Sequence, residues 1–297
     1  MTAALVLLGR HLRIFGREPI TVFFSILSPL VLFLLFILFF RENTAGSIAE
    51  LIPLAPKDDA YALCDAWMFS SVVTLATFSS SLGLLTAFVE DRVSGRFGDC
   101  LITPVRRWQL AISYVACSFV VSFTISALFG GLGQVWAAAV GQPLMSVPAF
   151  GRMLGATAVC CLFYAAFNTL IVTFTSTPGS FSGYSVVMGT AMGFLTYCYV
   201  PPSTLSQGIR RVLELMPFAQ GAAAVREPVM TPAIEQLARS VPPEGQDQVR
   251  RQLLDDLGAH LQVGGHDLTS TLIVVILAGL TVPLAILIAW RMNKVIR

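Results

Sequence analysis

The sequence predicts an all-α integral membrane protein with six transmembrane helices. Of its 297 residues, 55% are hydrophobic and 12% are charged, whereas soluble globular proteins carry about 25% charged residues. Residues 20–40 form a run of 21 positions without a charged side chain, and about 20 such residues are enough for a helix to cross the hydrocarbon core of a bilayer. The composition therefore excludes a soluble domain. It also contains no basic stripe or low-complexity tail that would indicate nucleic-acid binding.

The first 19 residues predict an amphipathic helix that lies in the headgroup region of the bilayer. Four apolar residues fall on one helical stripe: Leu5, Leu8, Leu12 and Phe15. Three arginines gather on the opposite side: Arg10, Arg13 and Arg17. This pattern is typical of an interfacial helix. An ordinary basic flank that orients the first span explains the same residues and places them on the same side of the membrane.

Six uncharged segments predict the membrane spans: residues 20–40, 66–89, 109–140, 153–174, 181–200 and 268–290. Arginine and lysine are concentrated in the N-terminal segment, in residues 90–107 and at the C-terminus, whereas the connection between the first two spans is mostly acidic. With six spans, the three basic segments share one side of the membrane. The positive-inside rule therefore predicts that both termini and residues 90–107 are cytoplasmic in a protein of the cell membrane.

Residues 201–267 predict a helical extracytoplasmic insert between the fifth and sixth spans. After Ser203 and Thr204, which could cap a helix, apolar residues recur at helical spacing: Leu205, Ile209, Val212, Leu213 and Met216. Residues 246–261 predict a second helix, and the sequence PPEG at residues 242–245 predicts the turn before it. The insert is long and mixed in charge, so it is not used to assign orientation.

The predicted outer side also holds acidic residues and a cysteine. Asp58, Asp59 and Asp65 are interpreted as part of a solvated loop, although they are the nearest approach to the acidic cluster of a membrane-embedded lipid enzyme. Cys64 and Cys198 could lie at the same membrane face. Packing of buried thiols is favoured over a disulfide between them.

The predicted spans contain no Asp, Glu, Lys, Arg or His, so they offer no relay for a proton or ion. They contain small and hydroxyl residues instead. Ser70, Thr74 and Ser81 are the candidate lining of a substrate path along the second span, and helix packing is the alternative for these hydroxyls. The pairs Gly151–Gly155 and Gly189–Gly193 have the spacing that allows close helix packing.

The sequence contains no pattern of residues that indicates an enzyme. The three histidines, His11, His260 and His266, all lie outside the predicted spans, and no cluster of metal ligands is present. The sequence GSFSG at residues 179–183 lacks the spacing of a nucleophile elbow. A nucleotide-binding loop needs glycine before lysine, but the two lysines, Lys57 and Lys294, follow proline and asparagine. We therefore expect no catalytic residues, bound metal or cofactor in this chain.

Three regions resemble the permease subunit of ABC transporters of the ABC-2 type. They are the basic start HLRIFGREPITVFFSILSPL, the stretch VEDRVSGRFGDCLITPVRRWQLAISY after the second span, and GFLTYCYVPPSTLSQGIRRVLELMPFAQGAAAVRE after the fifth. In the second region the family's acidic residue, glycine, leucine and proline are matched by Glu90, Gly95, Leu101 and Pro104. In the third region, a proline and an arginine are matched by Pro217 and Arg226.

The resemblance implies a complete transporter of two permease copies and two copies of a separate ABC ATPase subunit. That partner would carry the Walker A loop and bind ATP and Mg²⁺. Residues 90–107 would form a cytoplasmic coupling helix that docks on the ATPase, with coupling residues Glu90, Gly95, Arg96, Leu101, Ile102 and Pro104. Homodimer and heterodimer of permeases both remain open.

The chemistry of residues 90–107 fits this coupling role. Gly95 permits a tight bend, Leu101 and Ile102 offer an apolar knob for a groove, and Pro104 ends the helical piece. A simple polar loop whose arginines only orient the protein is the alternative interpretation.

The function implied is the ATP-driven outward transport of an amphiphilic substrate, such as a drug, a peptide antibiotic or a lipid-linked molecule. Two other classes remain as alternatives. A secondary multidrug transporter would need a titratable group in the membrane, and a membrane-embedded lipid-modifying enzyme would need clustered carboxylates or histidines at one interface.

Overall fold

The computed structural model describes residues 2–52, 55–96, 107–263 and 266–295. The helices are α1 (Thr2–Arg17), α2 (Pro19–Leu35, continued by a π-helical turn at Phe36–Phe40), α3 (Arg41–Leu51), α4 (Lys57–Val93), α5 (Arg107–Val140), α6 (Val147–Val172), α7 (Pro178–Leu195), α8 (Gln207–Glu214), α9 (Pro217–Ala238), α10 (Pro243–Asp256) and α11 (Ser270–Val295). A short 3₁₀ turn covers Pro202–Thr204, and β1 (Leu261–Val263) pairs antiparallel with β2 (His266–Leu268).

Five of the described helices are long and apolar enough to cross a membrane: α2, α4, α5, α6 and α11. The remaining predicted span, residues 181–200, corresponds to α7. This helix has 18 residues, so it is about 27 Å long, slightly shorter than the roughly 30 Å hydrocarbon core. Its sequence is also rich in glycine, serine and threonine. An all-α membrane protein is confirmed, and the count of six spans stays a prediction.

Helix α4 is the centre of the bundle. It has 37 residues and is therefore about 55 Å long, well beyond the thickness of the hydrocarbon core. It packs against α2, α3, α5, α6, α7 and α9. Small residues at the crossings allow this close packing, because a Cβ at Gly133 of α5 would lie 3.0 Å from the ring of Phe69 on α4. At Gly83 of α4, a Cβ would overlap the side chain of Ser25 on α2.

The insert between α7 and α11 is largely helical, but its elements differ from the expected ones. The N-cap residue of α8 is Ser206, because Ser203 and Thr204 lie in the 3₁₀ turn. The expected turn at residues 242–245 is wrong in part, since α10 begins at Pro243, where the fixed φ of proline suits the first helical position. Helix α10 ends at Asp256, and Leu261 belongs to the hairpin.

The main element of the insert is α9, which the apolar periodicity did not predict. Most of its residues are buried, and it packs against α4, α6 and α11 as well as against its neighbours in the insert. Two prolines lie inside it, Pro228 and Pro232. The insert is thus anchored among the membrane helices and does not merely cover them.

Candidate functional site

A buried carboxylate organises the predicted cytoplasmic end of α4. Asp91 lies in the last turn of the helix, two residues before its end at Val93, and is 3% exposed. Its carboxylate accepts a hydrogen bond from the Tyr114 hydroxyl of α5 at 2.7 Å and one from Arg96 at 3.0 Å. Arg10 of α1 approaches the same carboxylate at 3.5 Å. Asp91 therefore ties α1, α4 and α5 to the first residues of the segment that follows α4.

His11 of α1 completes this cluster. Its ring is stacked at a tilt on Tyr114, with 4.2 Å between ring centroids, and neither ring nitrogen finds a hydrogen-bond partner among the residues that the structure describes. Burial, followed by the nearby charge of Arg10, lowers the pKa of His11 to about 4. His11 is therefore neutral at physiological pH and holds α1 by packing.

The predicted coupling residues fall partly within this cluster. Glu90 is exposed beside Asp91, and Arg96 pairs with Asp91. Gly95 has φ +77, the left-handed conformation that commonly ends a helix and that glycine adopts without steric cost. Leu101, Ile102 and Pro104 lie in residues 97–106, outside the described part of the chain. The helix therefore ends four residues beyond the predicted span, at Val93, and the coupling role of these residues stays a prediction.

Asp91, Tyr114 and His11 were not among the predicted site residues. A signal for Asp91 does exist, because it follows Leu84 and Phe88 at helical spacing, and both of these side chains are buried. A charged residue on the buried face of a helix needs partners. The sequence alone could not identify them, since Arg10 and Tyr114 lie on two other helices.

A second set of contacts joins the same ends of α4, α6 and α11. Arg92 of α4 donates to the carbonyl oxygens of Thr173 and Thr175, at the C-terminal end of α6. The guanidinium of Arg291 on α11 lies 4.3 Å from the centre of the Phe174 ring, within the range of a cation–π interaction. These contacts therefore join the last turn of α4 to the C-terminal end of α6, and that end in turn to α11.

The candidate substrate-path residues of α4 lie in the interior of the bundle. Ser70 donates to the carbonyl of Trp67, and Thr74 donates to the carbonyl of Ser70. Ser81 lies 2.8 Å from Ser118 of α5 and accepts a hydrogen bond from Asn168 of α6 at 3.2 Å. These contacts fit the alternative interpretation of the hydroxyls, helix packing.

Asn168 extends the interior network to a fourth helix. Its side-chain oxygen accepts a hydrogen bond of 2.7 Å from Tyr184 of α7. The chain Tyr184–Asn168–Ser81–Ser118 therefore crosses α7, α6, α4 and α5 and satisfies polar groups that lipid could not hydrogen-bond. Ser81 was predicted from the sequence as a candidate substrate-path residue, whereas Asn168 was not among the predicted residues.

Among the residues that the structure describes, the predicted packing glycines show no close approach to another helix. A Cβ at Gly151, Gly155 or Gly189 would meet no atom within 4 Å, and the ring of Tyr199 covers Gly193. Helix packing at these glycines stays a prediction. The glycines that do allow close helix contacts within the chain include Gly83 and Gly133.

At the opposite end of the bundle lie Asp58, Asp59 and Asp65, which the sequence analysis interpreted as part of a solvated loop. That interpretation is wrong for Asp59 and Asp65, which are buried. Asp65 is 1% exposed because it lies within α4 and forms two hydrogen bonds with Arg41, at 2.8 and 2.9 Å. Gln142 and Trp136 donate to the same carboxylate. Asp59 is also buried and accepts a hydrogen bond from Gln236 of α9. Asp58 alone of the three is exposed.

Arg226 of α9, which the family resemblance singled out, lies fully buried. It donates to the carbonyl oxygens of Thr196 and Tyr197 after α7 and of Leu257 and Gly258 after α10. It also donates to the Ser71 hydroxyl on α4. Carbonyl groups at the C-terminal end of a helix lack partners within the helix and favour a cation. Arg226 therefore holds two helix ends against α4.

Cysteines and metal-ligating residues form no further site in the described chain. Cys64 and Cys198 are both free and buried, so they do not form a disulfide. The Cys64 thiol points to the carbonyl of Arg41, and the Cys198 thiol points to that of Ser71. Among the described residues, no group of three or more histidine, cysteine or acidic side chains could hold a metal ion.

Comparison with known families gives a match over most of the chain. The family model described as "ABC-2 family transporter protein" matches residues 61–291. The matched range includes α4 with Asp91, the segment after it, the interior network and Arg226. No curated protein matches the chain.

Proposed function

Because the chain belongs to the ABC-2 family of transporter proteins, which are membrane permeases of ABC-type transporters, we propose that it drives export with ATP hydrolysed by a separate subunit. The family match carries this proposal. The chain contains no Walker A sequence, so ATP hydrolysis would have to take place on a partner. The ATPase would bind ATP and Mg²⁺, while this chain provides the passage through the membrane.

Residues 90–107 are the proposed contact with the ATPase. The support comes from their anchoring, because a coupling element must pass motion on to the bundle through packed, hydrogen-bonded elements. Asp91 joins the start of the segment to α1 and α5, and Arg92 joins it to α6. Displacement of the segment would therefore shift several helices together.

A second permease copy is proposed to complete the transporter. Helix α7 supports this, since within the chain it packs mainly against α4. Its exposed face includes Ser182, Gly183 and Thr190, and small and hydroxyl residues favour contact with another helix over contact with lipid. If α7 also crosses the membrane, this face and Gly189 are where a second copy would pack.

The proposed substrate is amphiphilic, and the proposed direction is outward. The buried positions of Ser70, Thr74 and Ser81 mean that a path along these residues would require α4 to separate from α5 and α6. A passage between two copies needs no such separation. An ATP-independent secondary transporter is the alternative function. The chain Tyr184–Asn168–Ser81–Ser118 consists of neutral amide and hydroxyl groups, which neither gain nor lose a proton at physiological pH and so offer no proton relay.

The proposal is tested by co-purification with an ATPase. The full-length chain, tagged and extracted from its native membrane, should retain a soluble subunit that contains GxxxxGK[ST] and hydrolyses ATP. Transport by the purified chain alone, without that subunit or ATP, would contradict the proposal.

A further inference from the structure

A cavity of about 730 Å³ opens at the predicted outer end of the bundle. It lies where α6, α9 and α10 meet the first turn of α11, so the insert and the membrane helices both contribute to its walls. The volume falls within the range of about 300–1,000 Å³ that is common for small-molecule sites. The cavity is separate from the predicted coupling segment and from the interior network of α4.

One wall of the cavity is apolar. Ala156 and Val159 of α6, Ala224 of α9, Leu254 of α10 and Val274 of α11 contribute to it. Two of the helices that form this wall, α6 and α11, are apolar enough to cross the membrane. A ligand with an apolar body would find a continuous surface there.

The rim of the cavity is polar, and its central group is Glu227 of α9. One carboxylate oxygen accepts a hydrogen bond of 2.7 Å from Ser270 at the start of α11. The other oxygen lies 3.7 Å from the guanidinium of Arg152, beyond hydrogen-bond distance. The Arg152 side chain is 61% exposed, against 29% for Glu227. The carboxylate is therefore held in place, whereas the arginine is free to turn toward solvent.

The other charged groups near the rim are also mainly acidic. His260 lies 2.6 Å from Asp255 and 3.6 Å from Asp267. Even with a protonated imidazole, these carboxylates and Glu227 outnumber Arg152 and His260. The rim is therefore electronegative in either protonation state of His260, and a cation would be attracted to it.

We propose that this cavity binds an amphiphilic cation, whose positive group lies at Glu227 and whose apolar body lies against α6 and α11. Binding itself does not depend on the proposed function. The role of the bound cation as the transported substrate does rest on the proposed function. If the cation is transported, amphiphilic cations are the substrate class of the exporter.

Binding is tested with the purified full chain in lipid nanodiscs, without an ATPase or ATP. Rhodamine 6G, a fluorescent amphiphilic cation, is titrated by fluorescence anisotropy. Decyltrimethylammonium and decyl sulfate, which share an alkyl chain and differ in charge, serve as competitors below their micellar concentrations. We expect displacement by the cation and not by the anion. Equal displacement by both would overturn the proposal.

Two variants of the rim test the charge of the site. Glu227→Gln should weaken rhodamine 6G binding by about tenfold, because it removes a charge-assisted contact, whereas Glu227→Asp should retain binding. Arg152→Gln should strengthen binding, because it removes the competing cation. Glu235→Gln, on the same helix but outside the cavity, is the matched control and should have no effect.

The outcomes separate this inference from the proposed function. If Glu227→Gln binds as well as the Glu235→Gln control, the cavity is not the site. If Arg152→Gln weakens binding as much as Glu227→Gln does, the head group is zwitterionic and the cation proposal fails. The variants and competitors could change binding as expected while rhodamine 6G is not transported with ATP. That result would contradict only the role of the cation as the transported substrate, and the binding site would stand.

Discussion

Asp91 is the residue on which the predicted cytoplasmic end depends most. Its carboxylate is almost completely buried, and its partners come from α1, α5 and the segment after α4. A buried carboxylate that has hydrogen-bond partners fixes the relative positions of the helices that contact it, whereas an exposed ion pair constrains them only weakly. The neighbouring Glu90, which the sequence analysis selected for its match to the family pattern, is exposed.

Replacement of Asp91 tests this role. Asp91→Asn removes the charge that Arg10 and Arg96 approach, so we expect a loss of about 1–3 kcal/mol in stability and a weaker stimulation of the partner ATPase by substrate. Thermal unfolding in detergent and ATP hydrolysis by the reconstituted complex measure the two effects. Glu90→Gln is the control at the exposed neighbour. Equal behaviour of the two variants would contradict the special role of Asp91.

The lowered pKa of His11 predicts that the docking of α1 against the other helices depends on pH. Its pKa falls from 6.5 to about 4 in the folded protein, so protonation opposes docking. The contribution is fully present above about pH 6.5 and is lost as the pH falls through about 4, for a total on the order of 3 kcal/mol. Hydrogen exchange of α1 amides should therefore increase between pH 7 and pH 4.5, after correction for intrinsic exchange rates.

The His11→Phe variant isolates the histidine from other titrating groups. Phenylalanine keeps the ring contact with Tyr114 and carries no proton, so the additional opening of α1 at pH 4.5 should shrink. An unchanged pH dependence in this variant would assign the effect to Asp91 or to another carboxylate.

Arg226 provides a prediction at the predicted outer end. Lysine is a single point donor and cannot reach acceptors on two helix ends as a guanidinium does. Arg226→Lys should therefore cost about 2–4 kcal/mol, because buried carbonyl groups lose their partner. Thermal unfolding measures the loss, and Arg239→Lys at the exposed end of the same helix is the control. Similar melting temperatures for both variants would contradict the anchoring role.

At the scale of elements, the apolar runs located the membrane helices, but they did not define where the helices end. Helix α4 begins at Lys57, well before the uncharged run at residue 66, because Asp59 and Asp65 find buried partners on other elements. Helix α9 was missed because Pro228 and Pro232 interrupt its pattern and because it is buried on several sides. Amphipathic periodicity indicates only helices with one apolar face.

Residues 90–107 are the proposed link between the bundle and the ATPase subunit. Leu101→Asp and Ile102→Asp together place two charges on the expected apolar knob, so substrate should no longer stimulate ATP hydrolysis or be transported, while insertion continues. Measurement of ATP hydrolysis and transport in proteoliposomes checks this expectation. Val147→Asp, at an exposed position at the start of α6 and at the opposite end of the bundle, is the control. Normal coupling in the double variant would remove the segment from this role.

At the scale of the whole molecule, composition alone predicted the membrane class, and the resemblance predicted the family that the comparison confirms. The contacts that hold the molecule together could not be predicted in the same way. The pairs Asp65–Arg41 and Asp91–Tyr114 join residues of different helices, and the pair Arg226–Thr196 joins α9 to the residue that follows α7. A single sequence contains no signal for such long-range partners beyond the presence of a polar residue on an otherwise apolar face.

We predict that transport by the permease and its ATPase depends on ATP and not on an ion gradient. Uptake of rhodamine 6G into inside-out membrane vesicles that contain the chain and its partner ATPase tests this claim most directly. Uptake should require hydrolysable ATP, fail with a non-hydrolysable analogue, and persist when a protonophore collapses the proton gradient. Uptake that continues without ATP and stops with the protonophore would contradict the account.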